Sequence, residues 1–369
     1  MIDVRRLTLC FVVLASVTSC GAQSSSQVER VTTLEAVSDE SNENGELLLA
    51  KVATLDQPVD AASRIGDEAI YFVARRGTVH KFIDAKLDSE PVLDIADLTE
   101  GEGERGLLGL AFSNDGATAY INFTNRDGDT TIASLGVNRD GVFARESLKT
   151  IIVIDQPFQN HNAGDIVVEP SGMIIVPMGD GGSADDPLRV SLDDSSPLGK
   201  VLRIDPRDGS FTILARGLRN PWRVDLYQDR LWLADVGQGK FEEVSALNDL
   251  TKITSSPQIA DFGWSAYEAN DRFNKDQKSI GHTPPVISYQ HGDDGCSISG
   301  GAVAVSGSLI YRYIFADFCS GRVWSIATNE FSPKMTLHFD GLDSPTAVVR
   351  ANEKLFVLSL NGTIWQIRN

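Results

Sequence analysis

AIYFVARRGTVHKF, residues 69–82, is the stretch that decides the fold, because it joins an apolar run to an alternating run through a turn that ends on Gly77. All or part of this unit returns as LGKVLRI (198–204), LWLADVGQGKFEEV (231–244), YIFADFCSGRVWSI (313–326) and LFVLSLNGTIWQI (355–367). Such runs are typical of short β-strands joined by tight turns. About 320 residues at roughly 50 per four-stranded blade predict an all-β, six-bladed β-propeller. A pair of β-sandwiches is the alternative, although the recurring unit argues against it.

Composition and charge narrow the classes of function. The 369 residues are 42% hydrophobic and 23% charged, which is enough apolar material for a large core. The net charge of -18 argues against nucleic-acid partners, because a binder of phosphate backbones needs basic surface.

The N-terminus has the pattern of a targeting segment. Arg5 and Arg6 precede a short apolar run, and small residues lead up to Cys20. This arrangement resembles the bacterial lipobox. It implies a signal peptide at 1–19, lipidation of Cys20 and export to the outer face of a membrane, held by the lipid anchor only. An ordinary cleaved signal is the alternative. Residues 20–48 are polar and acidic, which predicts a flexible tether before a propeller at 49–369.

The four cysteines suggest one disulfide. Cys10 would leave with the signal peptide and Cys20 would carry the lipid. Cys296 and Cys319 then remain as an even pair in an oxidising compartment, which favours a bond between them. Two buried free thiols are the alternative.

The segment QPFQNHNAGDIVVEPSGMIIVPMGDGG (156–182) contains the candidate catalytic pair. Two predicted strands, 165–169 and 173–178, flank a Pro-Ser-Gly turn. If they form a hairpin, His161 and Asp180 lie at the same end of it, as a base and its orienting carboxylate. A locally bonded loop histidine and a turn-capping aspartate are the alternatives.

Several motifs occur in register along the chain: ERGLLGLAF (104–112), QPFQNHNAGD (156–165), GDGG (179–182), GLRNPWR (217–223), ADVGQ (234–238) and ADFCSGRVW (316–324). Together they resemble the glucose/sorbosone dehydrogenase family. The family consists of six-bladed propellers that include soluble PQQ-dependent aldose dehydrogenases. The wording RNPWR, DVGQ and DFCSGR is closer to the branch that includes the Hedgehog-interacting-protein propellers.

The resemblance implies a set of roles. His161 would take the proton of the sugar's anomeric hydroxyl, and Asp180 would orient it. Arg219 and Asn220 would face the quinone of PQQ, with Arg219 also in the catalytic set, and Arg322 would contact the acid groups of the cofactor.

Two further implications concern the metal and one missing cation. The backbone carbonyls of Gly237 and Gln238 would hold Ca²⁺, a metal that prefers oxygen ligands. The resemblance also implies a Lys or Arg after the SxxGG motif, where this chain has Val305 and Ser306. A solvated loop is the expectation for Asp185 and Asp186, and core packing is the expectation for Trp264.

Three functions are consistent with these patterns. The first is a membrane-anchored quinoprotein that oxidises an aldose to its lactone with PQQ and calcium. The second is a propeller that binds a sugar or a polypeptide without catalysis. The third is a metal-dependent lactone hydrolase, which the sequence supports least because no set of metal-binding carboxylates stands out. The sequence names neither the sugar nor the electron acceptor.

Overall fold

The computed structural model describes residues 47–253 and 258–368. The predicted signal peptide, the lipidation site at Cys20 and nearly all of the predicted tether lie outside these residues. Within them the chain is almost entirely β-structure, and no described helix is long and apolar enough to cross a bilayer.

The strands form six blades, as the sequence predicts. The first strand, β1 (Leu48–Thr54), belongs to the last blade. Blade 1 contains β2 (Pro58–Ser63), β3 (Ile70–Ala74), β4 (Thr78–Ile83), β5 (Lys86–Leu87) and β6 (Leu93–Asp94). Blade 2 contains β7 (Leu107–Phe112), β8 (Thr118–Thr124), β9 (Thr130–Val137) and β10 (Phe143–Ile154). Blade 3 contains β11 (Val167–Val168), β12 (Ile174–Met178), β13 (Lys200–Ile204) and β14 (Phe211–Arg216).

The remaining blades follow the same antiparallel plan. Blade 4 contains β15 (Pro221–Tyr227), β16 (Arg230–Asp235) and β17 (Phe241–Asn248), followed by α1 (Leu250–Ile253). Strand β18 (Ala260–Asp261) pairs in parallel with β14 of blade 3, and β19 (Tyr267–Glu268) and β20 (Asp271–Arg272) form a separate hairpin. Strand β21 (Ile287–Gln290) completes blade 4. Blade 5 contains β22 (Ile298–Val303), β23 (Arg312–Asp317), β24 (Val323–Ala327) and β25 (Thr336–Phe339). Blade 6 contains β26 (Pro345–Ala351), β27 (Lys354–Ser359) and β28 (Thr363–Arg368), with β1 on its edge.

The ring closes through the innermost strands. Each of β2, β7, β11, β15, β22 and β26 contacts the next, and β26 returns to β2. On the outer side, β1 pairs antiparallel with β28, so that the first and last described strands share one sheet. The blades therefore form a closed circle around a central channel.

Six hydrophobic clusters lie between neighbouring blades, one at each described interface. Strand β3 shows how the sequence produces them. Tyr71 and Val73 pack toward blade 2, whereas Ile70 and Phe72 pack toward blade 6. Because successive side chains of a strand point to opposite faces, a strand that is buried on both faces reads as a continuous apolar run. This explains runs such as AIYFVA and LWLA.

The recurring glycine unit corresponds to strands two and three of a blade. Gly77, Gly199 and Gly362 directly precede β4, β13 and β28, and Gly321 lies two residues before β24. All four have positive φ, which a glycine adopts at little cost. Blade 2 turns instead through residues 125–129, NRDGD, so the unit does not recur there in the same form.

Candidate active site

The loops at one end of the channel surround a cleft of about 460 Å³. Five of the residues predicted for catalysis, cofactor or metal line it: His161, Arg219, Asn220, Gly237 and Gln238. These residues come from three separate loops, so the ring of blades is what brings them together.

His161 and Asp180 are in direct contact. Nδ1 of His161 lies 2.6 Å from Oδ1 of Asp180, and both residues are buried. The hairpin of β11 and β12 brings them to the same end, although β11 is only two residues long. Gly179 permits the close approach, since a Cβ there would overlap the carbonyl oxygen of His161. No described group hydrogen-bonds to Nε2 of His161, so a lone pair on this atom is available to the cleft.

Asp180 is held by further donors. Its Oδ2 accepts a 2.8 Å hydrogen bond from Nε1 of Trp264, and its Oδ1 accepts one from the backbone N–H of Gly182. The guanidinium of Arg219 lies 5.8 Å from the ring centroid of Trp264. Trp264 therefore does more than pack in the core, which was its sequence-based interpretation: it orients the carboxylate behind His161.

A buried carboxylate holds the backbone of Arg219 and Asn220. Asp235 accepts the backbone N–H groups of both, with the Asn220 bond at 2.7 Å. The side chain of Arg219 donates from Nη1 to the carbonyl of Val236 and from Nε to Gln238 Oε1. Burial raises the pKa of Asp235 to about 7. These bonds hold the backbone of the Arg219–Asn220 loop without the help of a ligand.

The loop that follows β16 presents two free carbonyls. Oε1 of Glu268 accepts the backbone N–H groups of the four residues 238–241, at 2.7 to 3.3 Å. Among the described residues, none donates a hydrogen bond to the carbonyls of Gly237 and Gln238. The N–H groups of this loop are bonded to Glu268, whereas these two carbonyl oxygens have no donor among residues 47–253 and 258–368. Carbonyl oxygens are ligands of the kind that Ca²⁺ binds. No cluster of three or more His, Cys, Asp or Glu side chains suited to a metal occurs in the described part of the chain.

A second histidine lines the cleft. Nε2 of His291 lies 2.6 Å from Oε1 of Glu242, whose other oxygen accepts the backbone N–H of Ile298. Burial raises the pKa of the Glu242 carboxyl, and the hydrogen bond to Glu242 raises the pKa of His291.

The structure places two predicted cation positions away from the residues that line this cleft. Arg322 does not line the cleft, because its guanidinium pairs with Asp294 at 2.6 Å and Asp340 at 3.4 Å. Val305 and Ser306 follow the far end of β22, whose first residue, Ile298, lies in the cleft. Ser306 hydrogen-bonds the carbonyl of Glu353 there. A lysine or arginine at these two positions would not face the cleft.

The expectation of a solvated loop holds for Asp185, which is exposed, but fails for Asp186, and one covalent expectation is confirmed. Asp186 is buried, not solvated, and accepts hydrogen bonds from the N–H of Val190 and the hydroxyl of Ser265. Cys296 and Cys319 form the predicted disulfide, and Cys296 lines the cleft.

Sequence reasoning assigned no role to Glu104, although its loop (102–109) was a candidate, or to Arg75; both line the cleft. Oε2 of Glu104 accepts the backbone N–H of His161 at 2.7 Å and the side-chain amide of Asn220 at 3.1 Å. The signal that could have found Glu104 is its place at the start of the motif ERGLLGLAF. Arg75 belongs to the hairpin unit that decides the fold, and nothing in that unit marks it as part of a site.

Comparison with known proteins identifies the family. A family model described as glucose/sorbosone dehydrogenase matches residues 55–313. The chain belongs to the glucose/sorbosone dehydrogenase family. The matched segment includes every cleft residue described above, from Arg75 to Ile298, and the sequence-based resemblance is thereby confirmed.

Two curated relatives of this glucose/sorbosone dehydrogenase-family chain come from Arabidopsis thaliana. The HIPL1 protein is 28% identical over 253 residues, which is 54% of this chain and 35% of that protein. The HIPL2 protein is 24% identical over 227 residues, which is 48% of this chain and 31% of that protein. The aligned part thus spans about a third of the length of these relatives.

Solved structures of similar fold support the propeller architecture. The PQQ-bound aldose sugar dehydrogenase of Streptomyces coelicolor has a TM-score of 0.69 at 22% identity, over 88% of this chain and 98% of that one. The apo-form of the soluble aldose sugar dehydrogenase of Escherichia coli has a TM-score of 0.71 at 16% identity, over 87% and 98%. At these identities the likeness establishes the fold of this glucose/sorbosone dehydrogenase-family chain.

Proposed function

We propose that this protein is a quinoprotein oxidoreductase that oxidises an aldose sugar to its lactone with PQQ and Ca²⁺. The observation that carries the proposal is the buried contact between His161 and Asp180 at the wall of the cleft. A histidine whose Nδ1 is held by a carboxylate, and whose Nε2 faces a ligand cleft, is arranged as a general base.

The donors in the cleft fit an anionic cofactor. PQQ carries three acid groups, and two cationic residues, Arg75 and Arg219, are among those that line the cleft. The hydroxyl of Ser299 also lies there, buried and without a hydrogen-bond partner among the described residues. An orphaned buried hydroxyl of this kind is satisfied when a polar ligand binds beside it. The free carbonyls of Gly237 and Gln238 would hold the calcium ion.

The protein's own part in the reaction is the movement and placement of a proton. Oxidation of an aldose to its lactone removes two electrons and two protons from the sugar. Nε2 of His161 takes the proton of the anomeric hydroxyl, and Asp180 stabilises the imidazolium that forms. Bound PQQ would supply the electron-accepting quinone, and Ca²⁺ would supply its Lewis-acid polarisation.

The test is reconstitution of the purified protein. PQQ and Ca²⁺ are added together, and the reduction of an artificial electron acceptor is followed across a panel of aldoses. We expect sugar-dependent reduction that needs both additions. Absence of activity across the panel, together with absence of quinone binding by absorbance, would overturn the proposal.

The second candidate is a propeller of this family that binds a sugar or protein without catalysis. The placement of Arg322 favours it, because this arginine is paired with Asp294 and Asp340 and leaves fewer cations to hold a tricarboxylate. Calorimetric binding of a sugar in the absence of any PQQ binding would support this alternative over the enzyme.

We also propose that the protein is exported and anchored to the outer face of a membrane through a lipid on Cys20. The support is the basic start, short apolar run and small residues before this cysteine. Cys20→Ser should release the protein from the membrane fraction. Retention of this variant in the membrane would contradict the anchor.

A further inference from the structure

The backbone that carries His161 is in an unusual conformation. His161 has φ of 60° and Ala163 has φ of 50°, both in the left-handed region that non-glycine residues adopt only at a cost. Such a conformation persists only when surrounding groups hold it. The partners of the two backbone N–H groups show what holds this loop.

Each N–H group is bound by a side chain from a different loop. The N–H of His161 donates to Oε2 of Glu104 at 2.7 Å, and the N–H of Ala163 donates to Oδ1 of Asn220 at 3.0 Å. The amide of Asn220 also donates to Oε2 of Glu104 at 3.1 Å. One carboxylate oxygen therefore joins the His161 loop to the Asn220 loop, whose backbone is fixed in turn by Asp235.

The loop of Glu104 is itself held by Arg75. Nη1 of Arg75 donates to the carbonyl of Gly103 and, at 3.2 Å, to that of Arg105, the two residues that flank Glu104. The carbonyl of Arg75 accepts the N–H of Leu107 at 2.8 Å. Gly106 has φ of 152°, and a Cβ at this position would overlap the carbonyl oxygen of Arg75. The loop thus lies directly against Arg75. The guanidinium of Arg75 also donates hydrogen bonds to Oε1 of Gln57.

We propose that Glu104 and Arg75 are positioning residues for His161. Arg75 sets the place of Glu104, and Glu104 holds the left-handed backbone that directs Nδ1 of His161 to Asp180 and Nε2 to the cleft. The inference rests on the proposed role of His161 as base, and its structural content can be measured without sugar or cofactor. Displacing a catalytic base by about 1 Å lowers the reaction rate roughly 100-fold, so the hydrogen bonds that fix the position of His161 matter for catalysis.

The main test is proton NMR of the ligand-free protein. A hydrogen on a short Nδ1···Oδ1 contact resonates far downfield, and His161→Gln, which removes it, assigns the signal. We expect Glu104→Ala to broaden or lose this signal while the protein remains folded. Glu104→Gln should preserve it, because the amide oxygen still accepts both donors. The matched control is Glu102→Ala, since Glu102 is an exposed carboxylate of the same loop.

Arg75→Gln keeps the inference testable if Glu104→Ala fails to fold. Its expected result is a weaker and broader downfield signal, because the shorter side chain releases the carbonyls of Gly103 and Arg105. In the reconstituted enzyme, Glu104→Ala should lower kcat about 10- to 100-fold. A downfield signal unchanged in Glu104→Ala and in Arg75→Gln would overturn the inference. If Glu104→Ala loses the signal as expected but the reconstituted unaltered protein oxidises no sugar, only the proposed function is overturned.

Discussion

Nε1 of Trp264 donates a 2.8 Å hydrogen bond to Oδ2 of Asp180, although the two residues are 84 positions apart in the chain. Trp264→Phe should retain the packing and remove this donor. A buried carboxylate oxygen left without its partner costs about 1–3 kcal/mol. We expect a lower kcat and a lower free energy of unfolding, with a smaller loss of activity than for Asp180→Asn. Equal kcat in Trp264→Phe and the unaltered protein would show that the indole is not needed for orientation.

Asp180→Asn should leave the fold intact and impair the base. The amide either presents its own N–H to Nδ1 or forces the imidazole into the other tautomer, and in both cases the proton-accepting Nε2 is disturbed. We expect a fall in sugar oxidation of about 100- to 10,000-fold, as for His161→Gln. Steady-state kinetics check this, and circular dichroism establishes that both variants are folded. Activity retained in His161→Gln would refute His161 as the base.

Gly237 and Gln238 give a discriminating pair of variants for calcium. Their backbone carbonyls are the proposed ligands, so Gln238→Ala should keep calcium binding. At Gly237 a Cβ would overlap the carbonyl oxygen of Phe241, so Gly237→Ala must displace the loop. The measurement is the rise in Tm on addition of Ca²⁺, which reports binding to the native state. A calcium-dependent rise lost in Gln238→Ala and kept in Gly237→Ala would contradict the assignment.

The disulfide between Cys296 and Cys319 should stabilise blade 5 and the adjacent wall of the cleft. It closes a loop with a sequence separation of 23. Replacing both cysteines by serine is expected to lower the free energy of unfolding by about 2–4 kcal/mol, measured by denaturant titration. Addition of a reductant to the unaltered protein should have a similar effect. The control is the double variant, whose stability should not respond to the reductant.

The raised pKa of Asp60 predicts that the free energy of unfolding depends on pH. Burial raises its pKa to about 7, with Asp165 acting in the same direction and Arg223 and the N–H of Leu110 opposing it. The folded protein therefore keeps a proton that the unfolded chain releases near pH 4. The stability from this group is complete below about pH 4 and is lost as the pH rises to about 7, at about 1.4 kcal/mol per unit of pKa difference. Asp60→Asn should flatten the decline in unfolding free energy between pH 4 and 7. An unchanged slope in this variant would contradict the assignment.

The sequence revealed the parts of the site that are close together in the chain. His161 and Asp180 flank one hairpin, and a strand pattern was enough to predict their meeting. Trp264 and Glu104 reach the same pair from distant loops, so no local pattern could connect them to it. The repeat predicted a propeller because each blade buries both faces of its strands and so leaves an apolar run in the sequence, and the chain length predicted the number of blades.

The positions of the predicted cofactor-binding cations have the same explanation. The resemblance assigned cofactor contacts to Arg322 and to the positions of Val305 and Ser306, but a motif gives no direction along a strand. Strand β22 leaves the cleft after Ser299, and Arg322 lies between β23 and β24, where it pairs with Asp294 and Asp340. Only the three-dimensional course of the blade could show this.

The pairing of β1 with β28 has a consequence for protein engineering. Leu48 lies opposite Arg368 in that ladder, so a short linker could join the two ends of the propeller. The chain could then be opened at an exposed loop between two other blades, and all six blade interfaces would remain. In such circular permutants the new chain ends would lie in the opened loop. An electrode or a fused redox partner could then be attached there, away from the cleft.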